Sequence, residues 1–178
     1  MSFLKNDLTT IDVVEGVMPW LPPTEGEVRA SDAAAFAAGG LAQERVLHEY
    51  FLLKAALGLE YSLGLLERLG LRKEGMEQFH AFYVRRLAEG LLAGFASQRE
   101  TAVGIMGARM KAYSEALHGG RHPEDPHLAV ADVFTRFCGA PDEHSLVSLC
   151  LDACKDLHGR FLRELTEFGL GSRGGPAA

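Results

Sequence analysis

From 74 to 117 the chain holds no proline, and its small residues fall at Gly90, Gly94, Ser97, Thr101, Gly104 and Ala108. These spacings alternate between four and three, the repeat of a helix seam that faces another helix. Small side chains there let two backbones approach toward the ~8 Å end of the interaxial range. A bulky seam lies beside it, formed by Leu92, Phe95, Val103, Met106, Met110, Tyr113 and Leu117. A stretch with one close-contact face and one apolar face is expected at the centre of a helical bundle. Unbroken it would span roughly 65 Å at 1.5 Å per residue, long for a chain of 178 residues. Ser97 and Glu100 form a capping box and Gly94 can close the turn before it, so a break is expected near 96–99.

The same rhythm continues on both sides. Val46, Phe51, Leu53, Leu57, Tyr61, Leu65, Leu66 and Leu69 predict a helix over 41–69, with Ala55, Gly58 and Ser62 as a small stripe able to meet the seam. Gly70 and residues 72–75 make a tight link, so the flanking helices read as an antiparallel hairpin. Downstream, Asp125 caps a helix with Pro126 at its first position and Gly139 at its end. The acidic 141–143 segment opens a last helix whose core face is Leu146, Leu149, Ala153, Leu157, Phe161, Leu165 and Phe168.

Upstream, Leu8, Ile11, Val14 and Met18 keep helical spacing behind Asn6 or Asp7 as a cap. Residues 18–23 must then be extended, because each proline pushes its predecessor out of the α region. Trp20 and Leu21 sit in this arm and are the expected anchor, either onto the bundle or across a second subunit. Ser31 or Asp32 caps an alanine-rich helix weakened at Gly39 and Gly40. No strand pattern appears. The fold class expected is all-α, a single-domain bundle of about five to seven helices built on a long antiparallel hairpin. Its parts are a helix and Pro/Trp arm over 1–30, the bundle over 31–168 and a flexible tail over 169–178.

Composition narrows the partners. A net charge of −6, with Arg72-Lys73 and Arg85-Arg86 as isolated basic doublets, argues against nucleic acid. No apolar run approaches the ~20 residues of a membrane span, and no secretory signal pattern opens the chain. Three cysteines without such a signal are expected reduced and buried, in a cytoplasmic protein.

Candidate chemistry is sparse. Glu77 and His80 form a Glu-x-x-His that shares one helix face, as in carboxylate-bridged metal bundles. The hairpin would turn them toward Glu60 and Glu67 rather than toward Glu44 and His48. Glu60, Glu67, Glu77 and His80 are therefore the expected metal set, although the second Glu-x-x-His of such bundles is missing. No cofactor is the first expectation and a divalent metal ion the alternative, since these four side chains can equally be solvated on the surface. Phe95, Met106, Met110 and Tyr113 could line an apolar pocket with Arg99 as a charge beside it. Buried, that arginine would need a carboxylate or a bound anion. Cys150, Cys154 and His158 lie at i, i+4 and i+8, too far apart for one ion, and core filling is the better account. Loop residues His118, His122 and His127 lack a rigid element to hold them. Two functions follow: a non-catalytic helical protein that self-associates or binds a protein partner, or a metal- or small-ligand-binding bundle, conceivably an enzyme.

Overall fold

A computed structural model describes residues 43–92, 99–119, 122 and 124–167. It contains five helices: α1 (Gln43–Arg68), α2 (Lys73–Leu92), α3 (Arg99–Gly119), α4 (Pro126–Cys138) and α5 (His144–Glu167). No strand occurs among the described residues, and the fold is all-α. The expected helices and arm before Gln43, including Trp20 and Leu21, lie outside them, as does the tail.

Helix ends follow local chemistry. The Asp125 carboxylate accepts from the His127 and Leu128 backbone N–H groups, and Pro126 stands where no N–H is needed. Gly139 closes α4 at φ 81°, a left-handed conformation in which a Cβ is strained. The Gly139 and Ala140 N–H groups bond back to Arg136 and Thr135, and Gly70 at φ 84° with Leu71 repeats this arrangement on Glu67 and Leu66. Both are Schellman endings, which satisfy carbonyls left over at the helix terminus. At the start of α5, Glu143 accepts from the Ser145 N–H and hydroxyl, at 3.3 and 2.7 Å.

Successive helices alternate in direction. The Tyr83 hydroxyl donates to the Ala55 carbonyl at 2.9 Å, folding α2 back along α1 across the short link after Gly70. Arg109 meets Glu49 and His118 meets Glu60, so α3 runs parallel to α1. Arg45 donates to the Phe137 carbonyl and Tyr61 reaches His127, so α4 is antiparallel to it. Phe161 of α5 stacks on Tyr61 at 5.3 Å and packs beside Gly64.

The centre of this bundle is α1, not the 74–117 stretch. α1 packs against all four other helices. Leu52, Leu53, Ala55, Leu57, Ser62, Leu65 and Leu66, spread around its circumference, are almost wholly inaccessible. A helix apolar on every side has to be enclosed. The 74–117 stretch is instead two helices of opposite direction, and the break expected at 96–99 lies outside the described residues up to Arg99, which opens α3. The small seam does not make a close contact where it is described. Gly104 and Ala108 are exposed, and a Cβ on Gly104 would meet nothing within 4 Å. Met106, Tyr113 and Ala116 turn inward in its place. Burying large side chains removes more apolar area from water, at about 25 cal/mol per Å², than burying glycines does. No described helix is long and apolar enough to cross a membrane.

Candidate functional site

α2 and α3 both pack on α1 but touch each other only sparsely. Between them runs a half-open groove of about 290 Å³. Ala56 and Leu59 of α1 form its floor, with Val84 of α2 and Met106 and Met110 of α3 as apolar walls. Glu60, His80, Lys111 and Ser114 supply its polar rim. Val103, 40% exposed, stands one helical turn before Met106 and Gly107 on α3.

The groove joins members of both expected sets. Glu60 and His80 of the metal set face it together with Met106 and Met110 of the ligand set. The Glu60 carboxylate is held by His118 Nε2 at 2.9 Å, so this histidine is fixed on the last turn of α3 rather than loose in a loop. Glu77 is exposed and lies 3.8 Å from Lys73, and Glu67 is exposed. Among the described residues no three His, Cys, Asp or Glu side chains converge as a metal ion would require. Arg99 is the first residue of α3, Phe95 lies outside the described residues, and Tyr113 is buried beyond the groove wall at 1% exposure.

A buried polar cluster behind that wall was not legible in the sequence. Glu49 is 4% exposed, and its Oε1 accepts from Arg109 Nε at 2.9 Å. The Arg109 guanidinium also lies 3.6 Å from the centre of the Phe137 ring, a stacked cation–π contact. Glu49 Oε2 and the Tyr113 hydroxyl have no hydrogen-bond partner among the described residues. Burial, then the nearby Glu49 carboxylate, raises the Tyr113 pKa, with Arg109 opposing. One signal was available: Glu49 and Arg109 stand at inward positions of apolar runs, between Val46 and Leu53 and between Met106 and Tyr113.

An unpaired buried hydroxyl costs about 1–3 kcal/mol. Tyr113→Phe is therefore expected to raise stability by about 1 kcal/mol, seen as a higher urea midpoint at unchanged slope. A lower midpoint would mean that the hydroxyl is satisfied through a bridging water.

The cysteines are free and buried. Burial and then Glu49 push the Cys138 thiol up to about 12, with Arg45 and Arg109 opposing. Cys150 is raised by its hydrogen bond to Cys154 and by burial. Such thiols stay protonated at neutral pH and are poor nucleophiles.

At the other end of α1, His127 Nε2 lies 3.2 Å from the Tyr61 hydroxyl and its ring 5.6 Å from that of His158. It belongs to the first turn of α4, a rigid element and not a loop. Burial, then His158, lowers the His127 pKa, with Lys155 adding and Asp125 opposing. A histidine depressed in the folded state is protonated more readily after unfolding, so stability rises with pH across the window from its folded value up to ~6.5. Denaturant midpoints are accordingly expected to fall between pH 7.5 and 5.5, and to fall less in His127→Gln. Equal pH dependence in both chains would contradict this.

No protein-family model, curated protein or solved structure matches the chain.

Proposed function

We propose that this chain is a non-catalytic helical module that binds an amphipathic helix in the groove between α2 and α3. The observation that carries the reading is the groove itself. It has an apolar floor and walls between two helices that scarcely touch, and the exposed Val103 stands one turn before Met106 on α3. Helix-in-groove recognition needs such a trough, filled by apolar anchors at i, i+3, i+4 and i+7. Lys111 on the rim, whose contact with Glu115 is solvent-exposed, would pair with an acidic residue on the polar face of such a helix. Cys138 and Cys150, buried with their thiols pushed up, are poor nucleophiles.

Gly107 provides the test, because it lines the groove while a Cβ on it would meet nothing within 4 Å. Gly107→Glu places bulk and negative charge in the trough and should leave the fold intact. A short designed acidic amphipathic peptide is expected to bind the wild-type chain saturably in fluorescence anisotropy, and at least tenfold more weakly to Gly107→Glu. Equal affinity for both would place the binding elsewhere.

The meeting of Glu60, His80, Lys111 and Ser114 at one part of the groove favours a second reading, a small amphiphilic ligand with its apolar part against Met106 and Met110. The volume of about 290 Å³ is close to the lower end of small-molecule sites, about 300–1,000 Å³. Native mass spectrometry separates the readings: a small stoichiometric extra mass lost in Gly107→Glu would support the ligand.

A further inference from the structure

Tyr61 of α1, His127 of α4 and His158 and Phe161 of α5 form a cluster of four rings at the end of the bundle away from Glu49 and Arg109. We propose that this cluster is an acid-released latch: protonation of the His127–His158 pair frees residues 154–167 of α5 from α1 while the rest of the bundle stays folded. None of the four residues lines the groove between α2 and α3, so the latch does not depend on what the groove binds.

The rings hold three helices together. That of Tyr61 lies 5.3 Å from Phe161 and 5.7 Å from His158, and His158 is 5.6 Å from His127 and 6.3 Å from Phe161. The Tyr61 hydroxyl completes the set at 3.2 Å from His127 Nε2. Among the described residues Phe161 is the last buried side chain of α5, and Leu162 beside it is 49% exposed. The grip of this end of α5 on α1 therefore depends on the ring cluster.

Charge decides whether the cluster holds. Protonating both imidazoles would set two positive charges on rings 5.6 Å apart, and like charges at that range repel. Lys155, one turn before His158, adds a third positive charge acting on His127. From α1, Arg68 already stands over the Phe161 ring at 5.6 Å. The carboxylate acting on His127 is Asp125, and it is engaged as the α4 cap by the His127 and Leu128 N–H groups. Tyr61 and Cys154 face the cluster as a neutral phenol and thiol.

The sign follows from burial. A histidine kept neutral in the closed form takes up a proton on opening, so acid favours the open form from ~6.5 down to the depressed value of His127. Acid acts the other way on α3. Protonated His118 would turn its 2.9 Å hydrogen bond with Glu60 of α1 into an ion pair. Falling pH thus loosens α5 against α1 and tightens α3 on it.

Cys154 reports the opening, because it is 0% exposed and lies one turn before His158. The full-length chain is treated with dithiodipyridine, a disulfide reagent that stays reactive in mild acid. Rates are normalised to glutathione at each pH, and peptide mass spectrometry locates the label. Cys154 is expected to react at least tenfold faster at pH 5.5 than at pH 7.5, while Cys138, at the far end of α4, changes less than twofold. His127→Gln keeps a hydrogen-bonding group beside Tyr61 and His158→Phe keeps a ring, yet neither new side chain can be charged. Each should cut the acceleration below threefold. An undiminished acceleration in both variants, or none in wild type, would overturn the latch. Parallel labelling of Cys138 in acid would overturn it too, because the whole chain would then be unfolding. A variant that labels Cys138 already at pH 7.5 has not folded, and the other variant then decides.

Discussion

Arg109→Leu is expected to destabilise the bundle by about 3–5 kcal/mol, the usual cost of removing one partner from a buried ion pair. The cost comes from what stays behind. The Arg109 side chain is 25% exposed, but that of Glu49 is only 5% exposed and would be left charged in the core with neither oxygen bonded. The leucine would also forfeit the stacking on Phe137. Glu49→Leu/Arg109→Met, which removes both charges and keeps apolar volume, should return to within about 1 kcal/mol of wild type or exceed it. Urea unfolding of the single and double variants provides the check. If the double variant is as unstable as the single one, the pair stabilises the fold beyond its own desolvation.

Phe134→Ala is expected to cost about 3–5 kcal/mol, the range for emptying an aromatic site in a close-packed core. Phe134 is 0% exposed at the middle of α4, and its ring meets Tyr50 edge-on at 6.3 Å. Such an aromatic pair adds about 0.5–1.5 kcal/mol beyond the area it buries. α4 is the shortest of the five helices and is wedged between α3, α5 and α1, which limits how far the walls can collapse. Phe134→Leu, with a smaller cavity, should lose distinctly less. Denaturant midpoints at constant slope measure both. A loss under 1 kcal/mol in the alanine variant would show that α4 shifts to close the gap.

Whether a feature could be read from the sequence depended on how local its cause is. Asp125, Pro126 and Gly139 delimit α4 through contacts within a few residues of themselves, and the chain pattern shows them directly. The inward face of α3 is different. Its small and bulky seams are both helical in period, and only packing against α1 decides that Met106 and Tyr113 go in while Gly104 and Ala108 stay out. The buried charge illustrates the same limit. The sequence singles out Arg99, whose side chain lies outside the described residues, whereas the arginine beside a buried carboxylate is Arg109; its partner Glu49 is sixty residues away, so each alone reads as a solvated charge. At the groove, Glu60 and His80 were placed near one another by hairpin geometry, and they do face one space. Lys111 and Ser114 on its rim come from α3, whose position beside α2 no short-range pattern specifies.

The central place of α1 also has a consequence during synthesis. It is the first of the five described helices to leave the ribosome, yet α5, which covers Tyr61 and Gly64, is complete only about 100 residues later. At roughly 5–20 residues per second, the helix at the centre of the bundle waits about 5–20 s for its last wall. Throughout that interval the nascent chain shows the apolar surface that chaperones recognise and aggregates share.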